Sequence, residues 1–267
     1  MAVSAPRPLA AVTGASSGIG LELARQFAQH GFDLVVAADE PRIAAAAREL
    51  DAAGPGAVEA VQVDLATPAG VAALHARIRA AGRPLDALAL NAGIGAGGPF
   101  ATGPPLAAQL RVVDLNVRGL VQLAGLVLPE MVARHVGRVL ITSSIAASLP
   151  GPFQATYDAS KSFAQSFGLA LRDELRGSGV TVTLLMPGPT ATAFFRRNAM
   201  DDTRIAAGPL DDPADVARDG YAALMAGRER VVSASARTRL QQLGARLLPD
   251  AVKARLVRAM ARPGSGR

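Results

Sequence analysis

Tyr157 and Lys161 stand four residues apart in Tyr157-Asp158-Ala159-Ser160-Lys161, where a helical pattern running to Leu175 begins. At that spacing both side chains lie on one helix face. The chain has only two tyrosines and two lysines, and arginine supplies nearly all of its 28 cations. A lysine here therefore marks a place for a compact, rotatable ammonium rather than a planar guanidinium. The chemistry this permits is proton transfer. A free phenol titrates near 10, too high for a base at neutrality. An ammonium about 4 Å away is worth roughly 4 kcal/mol at an effective dielectric near 20, or about three pKa units. That shift would bring Tyr157 toward the range in which a general acid–base works best, able to protonate an alkoxide or take the proton of an alcohol.

Ser144 ends the run Ile141-Thr142-Ser143-Ser144. A hydroxyl at the carboxyl end of a strand projects into the crevice where parallel sheets bind ligands. The competing arrangement makes Ser144 a nucleophile with Lys161 as its base, but no G-x-S-x-G elbow surrounds Ser144.

These side chains need a scaffold. The first 190 residues alternate short β-like runs (Pro8–Thr13, Leu34–Ala38, Ala57–Val63, Asp86–Leu90, Gly137–Ser143, Val180–Met186) with longer helical patterns, and Arg230–Ser233 reads as a seventh strand. Such alternation predicts an α/β fold: a doubly wound parallel sheet of about seven strands with helices on both faces, Rossmann-like. Short Gly- and Pro-rich pieces fall after strands, and no internal linker or repeat is visible, so residues 1–267 read as one domain. The turn after the first strand is Thr13-Gly14-Ala15-Ser16-Ser17-Gly18-Ile19-Gly20. Glycines there let the backbone turn and let a ligand lie close, and the helix that follows offers free N–H groups and a positive dipole end to a pyrophosphate.

Composition excludes other chemistry. There is no cysteine, hence no disulfide, thiolate nucleophile or Cys-based zinc site, and three dispersed histidines make no metal site. Met1 to Leu9 lacks the features of a signal peptide, and no uncharged apolar run reaches the roughly eighteen residues of a membrane span; a cytoplasmic location without membrane association is expected. The net charge of +6 sits in the tail: residues 228–267 carry 10 cations and 2 acids, while residues 1–195 are balanced. A neutral body and a tail without interleaved aromatics do not suit nucleic-acid binding.

Together these residues resemble the short-chain dehydrogenase/reductase family in its single-domain form, over about residues 9–192. The motifs are the glycine turn, Asp64-Leu65, Asn91-Ala92-Gly93 (with Leu90 in place of a frequent asparagine), Asn116, Ser144, Tyr157, Lys161, and Pro187-Gly188 with Thr192. The resemblance implies a catalytic tetrad of Asn116, Ser144, Tyr157 and Lys161. In it Tyr157 transfers the proton, Ser144 holds the substrate carbonyl, Lys161 bonds the nicotinamide ribose and lowers the phenol, and Asn116 anchors a water leading to Lys161. It further implies a cofactor cradle of Gly14, Ser16, Ser17, Gly18, Ile19 and Gly20, an adenine contact at Asp64 and Leu65, Asn91-Ala92-Gly93 along the cofactor, and Pro187, Gly188 and Thr192 at the nicotinamide. Homodimers or homotetramers through helices at about 105–134 and 155–177 are implied by the family.

Asp39, 19 residues past Gly20, is placed to bond a ribose 2′-hydroxyl, and Glu40 follows, so NAD is expected ahead of NADP. Arg42 and an Asp39 one position late leave NADP open. Residues 190–210, with Phe194, Phe195, Met200 and Ile205, read as a variable lid over an apolar small-molecule substrate. Leu240, Leu243, Leu247, Val252, Leu256 and Met260 fall at helical spacing in a basic extension, 236–267, expected to pack on the body. Its rival reading is an interfacial helix or an anionic-substrate dock, and residues 262–267 read as a frayed end. The expected function is hydride transfer between a nicotinamide cofactor and a carbonyl or secondary alcohol; the alternative is a catalytically silent NAD(P)-binding regulator.

Overall fold

The strands form because their apolar runs can be buried on both faces at once. β1, Leu9–Thr13, is buried throughout, as are five consecutive residues of β2, Asp33–Ala38. Unbroken burial is what a strand inside a helix-covered parallel sheet requires. In this computed structural model, which describes residues 6–232 and 249–266, these strands are joined by β3 Val58–Gln62, β4 Ala87–Leu90, β5 Gly137–Thr142, β6 Val180–Met186 and β7 Arg230–Val232. All seven pair in parallel in the order β3-β2-β1-β4-β5-β6-β7, the doubly wound sheet that the alternation predicts. β1 lies between β2 and β4, with Val12 opposite Val36 on one side and Ala89 on the other. The winding reverses there, which opens a crevice at the carboxyl ends of the strands.

Side chains alternate between two cores. Ala10, Val12, Leu34 and Val36 face α1 (Gly18–Gln29), α2 (Ile43–Asp51) and a later helix, Pro213–Met225; Leu9, Ala11, Val35 and Ala37 face the other layer. Phe27 meets Phe32 and Tyr221 edge-on at 5.0 and 5.1 Å, which places the second tyrosine in the core. The opposite layer is α3 (Pro68–Ala80), α4 (Leu106–Ala133) and α5 (Ala155–Glu174). α3 begins with Pro68 behind Thr67, whose hydroxyl accepts from Gly70 N at 3.0 Å, a cap worth about 1 kcal/mol.

Two parts of the chain differ from expectation. By length and composition α4 is apolar enough to cross a bilayer, although Asp114 and Arg118 interrupt the apolar run. Here those two pair at 3.1 Å, and Leu123, Val127 and Met131 are buried against the sheet. Residues Asp114–Gly119 are wound as a π turn within α4, a geometry that recurs at functional sites. At the C-terminus, Leu240, Leu243 and Leu247 lie outside the described residues. With Pro213–Met225 as α6, the last helix is α7, Asp250–Ala261. Its packed stripe is Val257 and Ala261, while Val252, Leu256 and Met260 stay exposed; the two stripes lie about 100° apart on the helix. Residues 262–266 are not frayed: Gly264 N donates to Asp202 Oδ2 at 2.6 Å and Gly266 N to the Asp202 carbonyl at 2.8 Å.

Candidate active site

A cavity of about 920 Å³ lies in the crevice, lined from the glycine turn and Asp39 at one end to Tyr157, Phe194 and Met260 at the other. At the turn, Gly14 has φ +68°, and a Cβ there would come within 2.9 Å of Ala92 Cα. A Cβ on Gly20 would stand 2.1 Å from the Gly14 carbonyl oxygen, so only glycine lets α1 start this close to β1.

The ends of β1, β4 and β5 are laced together by Thr13 and Asn91. Thr13 Oγ1 accepts from Asn91 N at 2.9 Å and Ala92 N at 3.0 Å, and itself donates to the Ala89 carbonyl. The Asn91 amide donates to the Thr13 carbonyl and accepts from Thr142 Oγ1 at 3.1 Å. Its side chain is thus a brace between strands rather than a free ligand group. Asn116, carried by the π turn, is buried; it accepts from Ile94 N at 3.0 Å and donates to the Ile94 carbonyl at 2.8 Å and to Ser160 Oγ at 2.9 Å. Those partners engage both amide hydrogens and one lone pair of the oxygen, so the side chain braces the Gly93 loop onto α5.

Tyr157 and Lys161 do share one face of α5. Tyr157 and Ser144 both line the cavity, and the Tyr157 ring lies 5.1 Å from that of Phe194. Ser144 Oγ accepts from Ala146 N at 3.1 Å and donates to the Pro187 carbonyl at 3.4 Å. Lys161 is buried, with Nζ donating to the Thr142 carbonyl at 2.9 Å and standing 5.8 Å from the Tyr157 ring centre. The electrostatics correct the expectation of a lowered phenol. Burial, then the Asp158 carboxylate, push Tyr157 above the usual phenol range, and the Ser144 hydroxyl only partly opposes them. Burial brings the Lys161 ammonium down to about 8. Asp158 is itself buried and pushed up to about 7, with Oδ1 unpaired and Oδ2 pressed against Gly151, where a Cβ would come within 2.1 Å.

At the other end of the cavity, Arg111 reaches both acids assigned to the adenosine: Asp64 Oδ2 at 3.0 Å and Asp39 Oδ2 at 3.5 Å. Burial raises the Asp64 carboxyl, but the Arg111 hydrogen bond, the Ala66 amide and the Arg111 charge together bring it below its usual value. Leu65 and Gly93 line the cavity nearby, as do Ser17, Gly18 and Ile19 at the turn. Glu40, given no role by the sequence beyond following Asp39, accepts from Ser16 Oγ at 3.2 Å and from Arg197 Nη2 at 2.9 Å. The Ser16 hydroxyl thereby joins the turn to Glu40, and Arg197 ties the lid to the same carboxylate.

Pro187, Gly188 and Thr192 line the cavity below the lid, where Thr192 Oγ1 accepts from Phe194 N at 3.2 Å. Two short helices, Phe194–Arg197 and Arg204–Ala207, form the lid within 190–210. Asn198 latches it, accepting from Gly95 N at 2.8 Å and donating to the Phe194 carbonyl at 2.6 Å. The chain's three asparagines therefore all knit loops around this cavity, although the sequence singles out only two.

A family model described as short chain dehydrogenase matches residues 8–203. Human 17-beta-hydroxysteroid dehydrogenase type 1 is 37% identical over 199 residues, 72% of this chain and 59% of that protein. The chain spans about three fifths of the length of such curated relatives. Among solved structures, a short-chain dehydrogenase from Sphingobium yanoikuyae in complex with NADPH is 31% identical with TM-score 0.78, covering 90% of this chain and 93% of that one. One from Burkholderia phymatum in complex with NAD is 28% identical with TM-score 0.79, covering 90% and 92%.

Proposed function

The chain belongs to the short-chain dehydrogenase family, and from that premise we propose that it moves hydride between a nicotinamide cofactor and a carbonyl or secondary alcohol, with Tyr157 as general acid–base. The observation that carries this reading is that Tyr157, Ser144 and Lys161 line the same cavity that reaches the glycine turn. The residues fit a dinucleotide. The cradle at Gly14, Ser17, Gly18, Ile19 and Gly20 would hold its pyrophosphate against the start of α1, Asp64 and Leu65 its adenine, Lys161 its ribose, and Gly188 and Thr192 its nicotinamide end. When bound, the cofactor supplies or accepts the hydride.

The chain's own part is positioning and the proton. Ser144 bonds the substrate oxygen. A phenol held above its usual range keeps its proton at neutrality and is ready to donate it, so these residues support carbonyl reduction most directly: the proton leaves Tyr157 Oη for the developing alkoxide. The buried Lys161 charge then favours the phenolate left behind. NAD is the proposed cofactor, because Asp39 on the cavity wall and the neighbouring Glu40 would repel a 2′-phosphate; relatives bound to NAD and to NADPH are both known.

Phe194, Leu149 and Leu210 on the cavity wall support an apolar substrate. Leu106, Leu110, Val121 and Phe163, exposed on the outer faces of α4 and α5, support self-association into a dimer or tetramer. The test is a panel of ketones, aldehydes and alcohols offered with NADH, NADPH and their oxidised forms, followed by reduced-nicotinamide absorbance. Turnover that Tyr157→Phe abolishes supports the reading; cofactor binding with no turnover across the panel would favour the silent regulator.

A further inference from the structure

The C-terminal helix is held to the lid, not merely to the body. Besides the bonds from Gly264 and Gly266 to Asp202, Arg204 donates from its main-chain N to Ser265 Oγ and from Nε to the Ser265 carbonyl, both at 3.1 Å. The Arg258 guanidinium sits 5.5 Å over the Phe153 ring, on the loop that leads into α5. α7 is therefore pinned through its last turns: Val257 and Ala261 are 5% and 2% exposed, whereas Leu256 and Met260 are 52% and 40% exposed. Those two open side chains line the cavity that holds Tyr157 and Phe194. A helix fixed by one stripe that leaves a second apolar stripe uncovered, facing a cavity continuous with the reacting groups, has its occupant specified by that continuity. A ligand whose polar carbon lies at Ser144 and Tyr157 can cover Leu256 and Met260 with its apolar body.

We propose that Leu256 and Met260 form the substrate-selecting wall of this site and favour ketones or secondary alcohols with a long or bulky apolar group over small ones. This rests on the oxidoreductase reading and adds the substrate class. Lys253 lines the same cavity and pairs with Asp250 on the helix itself at 3.0 Å.

The experiment compares kcat and KM for the series 2-butanone, 2-hexanone, 2-octanone and 2-decanone, with the preferred reduced nicotinamide, in wild type, Leu256→Ala/Met260→Ala and Met260→Trp. Isothermal titration of the same ketones into protein carrying oxidised nicotinamide runs in parallel, and thermal denaturation checks the fold. In wild type kcat/KM should rise at least tenfold from 2-butanone to 2-octanone. The double alanine variant should lose most of that ratio through KM, and Met260→Trp should shift the optimum to shorter ketones. An unchanged chain-length preference in both folded variants, by kinetics and by titration, overturns the proposal while leaving the oxidoreductase reading intact. A wild type that binds the long ketones tightly and reduces none of the series overturns the oxidoreductase reading but supports the wall.

Discussion

Lys161 Nζ donates to the Thr142 carbonyl at 2.9 Å and lies 5.8 Å from the centre of the Tyr157 ring. The ammonium is held by the end of β5, so its position is fixed by the sheet rather than by the phenol. The site thus keeps phenol and cation on one helix face without bonding one to the other, and burial favours the protonated phenol.

Tyr157→Phe removes the transferable proton while leaving the ring against Phe194. We expect kcat to fall by about 10²–10⁴-fold, the range that positioned acid–base catalysis supplies. Nicotinamide affinity, measured by fluorescence titration, should change little. A variant with near-normal turnover would show that the proton takes another route.

Asn116→Ala leaves the Ile94 N–H, the Ile94 carbonyl and Ser160 Oγ without their shared partner. Unpaired buried polar groups of this kind cost roughly 1–3 kcal/mol each, so a loss of about 2–4 kcal/mol in urea denaturation is expected. If Asn116 acted only through a side-chain-bound water, the variant would lose activity and keep its stability.

Much of this was legible in the sequence, for reasons that can be located. β1 and β2 announce themselves as unbroken apolar runs, the glycine turn by its position after β1, and the Tyr157–Lys161 pair by helical spacing and rarity. What escaped depends on distances in space. Glu40, Arg197 and Ser16 come from three separate segments, and Arg111 reaches back from α4 to Asp39 and Asp64. The periodicity of Val252, Leu256 and Met260 identifies an apolar stripe but not what it faces; Val257 and Ala261 pack while Leu256 and Met260 line the cavity.

Glu40 joins the glycine turn to the lid, and with Asp39 it is the proposed source of discrimination against a 2′-phosphate. Asp39→Asn/Glu40→Gln removes two negative charges, each worth about 1 kcal/mol or more against a phosphate charge at close range in water. The ratio of kcat/KM for NADPH over NADH should rise at least about tenfold, and more at low salt. Since Arg197 also loses its ionic partner, nicotinamide dissociation in stopped-flow traces should quicken. An unchanged ratio would mean that the two carboxylates do not face the adenosine ribose.

Asp158, next to Tyr157, gives the site a pH signature. Its folded-state pKa is near 7 against an ordinary value near 3.8. Between those values the folded protein holds a proton that the unfolded chain has released, so stability falls as pH rises through that window, by up to about 4 kcal/mol in all. Lys161 acts in the opposite sense. Its folded value near 8 lies below the ordinary 10.5, so its stabilising share is present above about 10.5 and lost as pH falls through 8. Asp158→Asn should therefore melt increasingly above wild type as pH goes from 4 to 7, with a constant difference beyond. It also removes a charge that raises the phenol, so the rise of alcohol oxidation with pH should move to lower pH. Parallel melting curves at pH 4 and pH 8 would mean that the carboxyl is already ionised in the folded protein, turned away from Gly151.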